Sequence, residues 1–268
     1  MNVGWLVALV LGGGAPPDGG PAPERAEVVI GPARLRLMYP APNEPPEIEV
    51  AAFALDVRPV SNADFLAFVT AHPAWRRDAV KRVHADPGYL SHWAEATALG
   101  PPGADNRPDQ PVTRVSWYAA KAYCAARGQR LASEAEWELA AAASESVADA
   151  RGDEAFQQRI LGWYARPASR LLPNAGAGAP NLYGVRDLHG LVWEWVYDLN
   201  NTMVTGDNRE RGSPDKQMFC GAGALAASDD ADYASFMRYA FRSSLGAAFT
   251  ARSLGFRCAR TVTKEDGS

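Results

Sequence analysis

Hydrophobic and polar positions recur with two different periods along this chain, and the changes of period mark out its elements. Arg34-Leu-Arg-Leu-Met38 alternates strictly and residues 48–56 do so in part, which predicts two short strands early in the domain. Residues 59–69 shift to helical spacing: Ser61 can cap, Asp64 favours the positive end of the helix dipole, and Phe65, Phe68 and Val69 share a face. Residues 71–112 lose periodicity and are rich in Pro, Gly, His and Asp, so they read as a long structured loop anchored by Trp75, Tyr89 and Trp93. Ser116 can cap a helix over Trp117–Ala126 that Gly128 stops, and Ser133-Glu-Ala-Glu136 is a capping box opening a helix over 134–143.

After a weak pattern over 144–180, Trp193, Trp195 and Tyr197 fall on one face of a predicted strand, with Val192, Glu194, Val196 and Asp198 on the other. A last helix starts at Asp229 or Asp230, its apolar stripe formed by Tyr233, Phe236, Met237, Ala240 and Phe241. Arg238 and Arg242 sit one turn apart beside that stripe. They read either as a solvated basic edge or as an anion clamp.

With 268 residues, 47% of them hydrophobic, the chain can bury a sizeable core. A net charge of -4 with no basic run argues against nucleic acid as a partner. The apolar run from Trp5 to Leu11 is too short to span a bilayer and has the length of a signal-peptide core, although Met1 to Gly4 lacks Lys or Arg. The expected layout is a signal peptide and Pro/Gly-rich spacer over 1–25, one domain over 26–263 and a short tail over 264–268. That layout implies a periplasmic or secreted protein with no integral membrane span in its mature form.

Few residues carry candidate chemistry on their own. Glu194 between two valines is costly unless an Arg, a helix N-terminus or a cation such as calcium answers its charge. Cys220 reads as a buried inert thiol or as an exposed nucleophile. Tyr239 beside Arg238 could donate a proton, so Cys220, Tyr239, Arg238 and Arg242 form one candidate catalytic group. His72, His84, His92 and His189 show no metal-ligand spacing.

Several ordered motifs carry a resemblance to one family. Leu55-Asp-Val-Arg-Pro-Val-Ser-Asn62, Pro111-Val-Thr-Arg-Val-Ser-Trp117 with the helix pair, Asn181-Leu-Tyr-Gly-Val-Arg-Asp-Leu-His-Gly190 leading into Trp193-Glu-Trp195, and Gly255-Phe-Arg-Cys258 together resemble the formylglycine-generating-enzyme, or sulfatase-modifying-factor, family. The resemblance implies an α+β fold with C-type-lectin-like features and little regular secondary structure. It implies a disulfide between Cys124 and Cys258, and a calcium ion held at His189, Gly190, Val192 and Glu194, with a second site matched only at Asn174 and Ala175.

The same resemblance puts the activity in question. The family's oxidases use two redox cysteines five residues apart, which bind copper in aerobic bacterial members. Ungapped counting from Arg257 places Ala234 and Tyr239 there, so copper is expected to be absent. Ser253 stands where the enzymes carry a substrate-binding asparagine. Trp195, Ser253 and Arg242 are the binding candidates. Three functions remain open: an exported accessory or maturation factor binding a peptide, glycan or protein partner, an enzyme of altered chemistry, and a calcium-dependent lectin-like binder. Members without the cysteine pair, linked to siderophore maturation and to nitrite-reductase operons, favour the first.

Overall fold

The computed structural model describes residues 26–37, 45–101, 106–166, 171–199 and 230–262. Cys220, the proposed signal peptide and spacer, and the tail lie outside the described residues. The central sheet runs β1 (Glu27–Ile30), β4 (Phe53–Asp56), β8 (Cys258–Thr261), β5 (Arg130–Leu131), all antiparallel. Two smaller pairs accompany it: β2 (Ala33–Arg36) with β3 (Glu47–Val50), antiparallel, and β6 (Trp193–Glu194) with β7 (Leu254–Gly255), parallel.

The run 48–56 is therefore two strands rather than one. Its first part keeps an exposed face and pairs at the edge in β3, whereas Phe53-Ala-Leu-Asp56 lacks alternation and is buried along its whole length, as an inner strand covered on both faces must be. Asp56 Oδ2 accepts the Cys258 backbone N–H at 3.2 Å and its Oδ1 accepts from Gln129, so the one polar residue of β4 tethers its neighbours.

The helices follow their caps. In α1 (Asn62–Ala71), Ser61 and Asp64 form a reciprocal capping box. Ser116 caps α2 (Trp117–Ala126), and Gly128 leaves it at φ 70° with open space around a would-be Cβ, the left-handed stop that glycine adopts without strain. The Ser133/Glu136 box opens α3 (Glu134–Ala141), two residues shorter than its pattern predicts. The sequence pattern did not reveal α4 (Glu154–Tyr164), capped by Asp153, because it buries only Phe156, Gln157 and Ile160. The last helix, α5, spans Asp230–Ser243.

The sheet divides the core in two. Alternation along β8 sends Cys258 to one side, where α1 and α2 pack with Phe65, Tyr123, Trp93 and Phe256, and Ala259 to the other, with Ile30, Phe53, Leu55 and Trp137. Trp93 and Tyr89, two anchors of the 71–112 loop, are buried at 2% and 1% exposure. The Trp93 indole N–H donates to Asn62 Oδ1 at 3.1 Å and the Tyr89 hydroxyl to the Trp75 carbonyl at 3.0 Å, so these anchors pin the loop, which also holds a 3-10 turn over Pro73–Trp75. Cys124 of α2 and Cys258 of β8 form the expected disulfide across 134 residues.

That link restricts the unfolded chain far more than the folded one. Replacing both cysteines by alanine is expected to lower unfolding stability by about 2–5 kcal/mol in urea titrations, while peptide mapping of the non-reduced protein should recover Cys124 and Cys258 in one linked fragment. Two free thiols in protein recovered from an oxidising compartment would contradict the link.

Candidate functional site

α3 is buried on nearly every side, although three of its eight residues are glutamates. Glu136 answers Arg130 through two 2.6 Å bonds while closing the capping box. The other two face α5. Glu138, at 3% exposure, accepts from Arg238 Nε and Nη2 at 2.9 and 2.7 Å and from Arg242 Nη1 at 2.8 Å; Arg242 also reaches Glu134 at 3.3 Å. Both pairs are i, i+4 on their own helix, so two carboxylates on one ridge meet two guanidiniums on the other. Tyr164 of α4 completes the knot, its hydroxyl accepting from Arg238 at 3.1 Å and donating to the Ala234 carbonyl at 3.3 Å.

Trp137 joins this cluster to a second one. The Arg242 guanidinium lies 4.3 Å from its ring centre, and its indole N–H donates to Glu194 Oε2 at 2.8 Å. Glu194 is clamped by Arg257, with Nε on Oε2 and Nη2 on Oε1, each at 2.8 Å, at 0% and 1% side-chain exposure. The spare Arg257 donors go to the carbonyls of Asp56 and Arg186. The charge that needed an answer at Glu194 thus receives a bidentate guanidinium.

Burial pushes the Glu138 carboxyl up, but Arg238 and Arg242 outweigh it and hold it at about 2. Burial, then the Glu138 and Glu134 charges, drive the Tyr239 hydroxyl above the usual phenol range. Burial, with Arg238 adding to it, lowers His189 to about 3. Its ring sits edge-on to Trp137 and Phe156, and Nε2–H donates to the Ala141 carbonyl at 2.8 Å.

Several sequence expectations are corrected by this geometry. Arg238 and Arg242 are neither a solvated edge nor an open anion clamp, because two glutamates neutralise them in the interior. Tyr239 is half-buried and stays protonated beside carboxylates. Two members of the proposed catalytic group, Arg238 and Arg242, are thus committed to Glu138 and Glu134, and its fourth member, Cys220, lies outside the described residues. Trp195 is not a surface binding residue: the strand ends at Glu194, and the indole turns into the α1/α2 core at 2% exposure, donating to the Val115 carbonyl at 2.9 Å.

Of the cation ligands expected at His189, Gly190, Val192 and Glu194, the one carboxylate gives both its oxygens to Arg257. The nearby Asp187 spends its oxygens on the N–H groups of Gly176 and Gly178, and among the described residues no group of three His, Cys, Asp or Glu side chains is arranged to hold a metal. Ser253 is half-buried at the start of β7, its carbonyl accepting the Trp193 N–H at 2.7 Å.

Trp193 is the aromatic centre that pattern reading did not separate from Trp195. It stacks on Tyr164 at 4.8 Å and contacts Trp163 at 5.4 Å and Phe241 at 4.5 Å, building a half-buried aromatic face between α4, α5 and β6. Ala234, at 0% exposure, and Tyr239 lie on the same helix as Phe241.

An α+β domain of short strands and capped helices, stapled from α2 to β8 and carrying a Trp-Glu-Trp segment over a buried arginine, is the scaffold of sulfatase-modifying proteins. Residues 17–262 match the sulfatase-modifying factor enzyme 1-like domain, and the chain belongs to that family. It is 30% identical over 257 residues to the inactive C-alpha-formylglycine-generating enzyme 2 of Mus musculus, covering 82% of this chain and 79% of that protein. To the formylglycine-generating enzyme of Streptomyces coelicolor it is 28% identical over 285 residues, covering 86% and 85%. The structure of PvdO from Pseudomonas aeruginosa compares at a TM-score of 0.47 and 20% identity, over 88% of this chain and 94% of that one.

Removing one partner of the buried cluster strands the other. Arg238→Met is expected to cost about 3–5 kcal/mol in urea unfolding, and Arg238→Met combined with Glu138→Leu to recover most of it. Equal losses in the single and double variants would show that the pairing is not what holds α5.

Acid should unfold the protein in two stages. His92 and His189, ordinarily near 6.5 and held to about 3 in the fold, stay neutral there while the unfolded chain takes up protons. Stability is thus full above pH 6.5 and falls as pH drops from 6.5 toward 3. Glu138, ordinarily near 4.5 and held to about 2, adds a second loss between those values. Urea midpoints across pH 7.5 to 3 should therefore fall, and His189→Gln should flatten the upper stage.

Proposed function

We propose that this chain is a family member without formylglycine-forming activity, which binds a peptide, glycan or protein partner as an accessory or maturation factor in an oxidising compartment. One observation carries the reading: counting back from Arg257 puts Ala234 and Tyr239 of α5 where the family's oxidases carry two thiols, and Arg238 and Arg242 hold that helix against Glu138 and Glu134. A methyl group offers nothing to copper, and a phenol kept protonated by buried carboxylates is a poor ligand for a soft metal. Copper therefore has no place in the proposal.

What remains suited to function is recognition. Trp163, Trp193, Tyr164 and Phe241 form a preorganised aromatic face beside Ser253, and stacked rings give contact area to sugar or peptide at low conformational cost. Similarity to a relative named inactive supports the same reading. The Cys124–Cys258 bond supports a periplasmic or secreted setting, since such bonds persist where thiols are not kept reduced. Among the described residues no helix is long and apolar enough to cross a membrane.

Incubation of the purified protein with a Cys-x-Pro-x-Arg peptide, copper, reductant and oxygen is expected to leave the cysteine unconverted, read by mass spectrometry after hydrazide trapping. Accumulation of the aldehyde with turnover overturns the proposal.

A further inference from the structure

Away from α5, three segments meet at two residues in left-handed conformations. Leu90 has φ 47° and Arg114 φ 54°, a region that is strained for a residue bearing a side chain. The two are bonded to each other, Leu90 N–H to the Arg114 carbonyl at 2.9 Å, and Arg114 N–H donates to the Ala251 carbonyl at 2.9 Å. The turn over 90–94, the Arg114 backbone and residues 251–252 are thus fixed as one unit. Arg77 braces the turn from beneath, donating to the carbonyls of Leu90, Trp93 and Ala94 at 3.2, 2.8 and 3.3 Å. The Arg114 guanidinium reaches Ser91 Oγ at 2.6 Å.

His92 stands inside this frame with neither ring nitrogen bonded among the described residues. Asn106 donates to its carbonyl at 2.7 Å and leaves its own Oδ1 unpaired. Five buried side-chain polar atoms lack a partner among the described residues, and three belong to these two side chains. Unpaired buried groups of this kind destabilise a fold, so their concentration at one place calls for a function.

The charges around His92 point to what that function is. Burial first, then Arg114, Arg77 and Arg252, hold the imidazole near 3 and hence neutral, with one N–H to give and one lone pair. Arg238, Arg242 and Arg257 each face a carboxylate, whereas the bonds of Arg77 and Arg114 among the described residues go only to carbonyls and a hydroxyl. Among the described residues, the charges of Arg77 and Arg114 are thus held in place beside His92 without a carboxylate on them.

We propose that the turn at His92, with the Arg114 guanidinium beside it and Arg77 bracing it, is a binding site for an anionic group of the carboxylate or phosphate class. Arg114 supplies charge-assisted hydrogen bonds, His92 donates its N–H, and Arg77, whose donors are committed to carbonyls, contributes field and holds the turn. The site is separate from the aromatic face and from the α5 cluster, so it stands whether or not the reading of the preceding subsection holds.

The test follows the His92 imidazole by NMR while inorganic phosphate, or separately N-acetyl-aspartate, is titrated into the full chain, with chloride at matched ionic strength as reference. Saturable shifts of the His92 signals and a rise in its midpoint are expected. Arg114→Gly removes the guanidinium while suiting the left-handed backbone, and should weaken binding by about tenfold with an unchanged thermal melt. Saturation by phosphate alone assigns a phosphate-bearing ligand, and saturation by the carboxylate alone an acidic one. No response beyond chloride, or the same response in Arg114→Gly, overturns the site.

Discussion

Charge balance inside the protein governs how its pieces fit. Glu134, Glu138 and Glu194 lie beyond the reach of bulk water, and Arg238, Arg242 and Arg257 are buried with them. Removing a carboxylate or a guanidinium from water costs several kcal/mol, so each is tolerable only where an opposite charge arrives with good geometry. These three carboxylates and three guanidiniums balance one another, and Trp137 touches both groups, taking Arg242 on its face and giving its N–H to Glu194. The positions of α3, α5, β6 and the residue preceding β8 relative to one another follow from that match. A pair of apolar surfaces could slide, but a bidentate pair cannot.

The same match explains why the family's scaffold can persist without its thiols. α5 does not depend on catalytic residues for its placement, since Arg238 and Arg242 anchor it to α3 and Tyr164 ties its Ala234 carbonyl to α4. Its exposed side is left to aromatic contacts around Trp193. Tyr164 serves both, bonding Arg238 with its hydroxyl and stacking its ring on Trp193, so the buried charges and the aromatic face adjoin.

What could be read from the chain divides by distance. The caps at Ser61, Ser116 and Ser133 were legible because a cap is settled within four residues, and so was the stop at Gly128. That Glu194 needed an answer was legible from its two valine neighbours, yet Arg257, 63 positions away, carried no sign that it was the answer. Glu134 and Glu138 look like ordinary first-turn and surface acids, and Arg238 and Arg242 like a basic edge. Only the shared i, i+4 spacing of the two sets hinted at a match. α4 hid because its buried face includes Gln157, whose amide N–H donates to the Arg151 carbonyl. Trp193 and Trp195 share a parity that a longer strand would have turned to one side, and the strand's end after Glu194 sends them apart.

One further consequence lies in the place of β8 within the sheet. It is the inner strand between β4 and β5, its Cys258 N–H bonds to Asp56 from 202 residues away, and it carries half of the disulfide and follows directly on the arginine that neutralises Glu194. A ribosome delivers β4, α2 and β5 long before it delivers β8. Until then the sheet has a gap, Glu194 lacks its guanidinium and Cys124 has no partner, so the nascent chain cannot close its core. The strand made last is thus the one that locks the fold, and the chain completes its core only when its C-terminal end arrives.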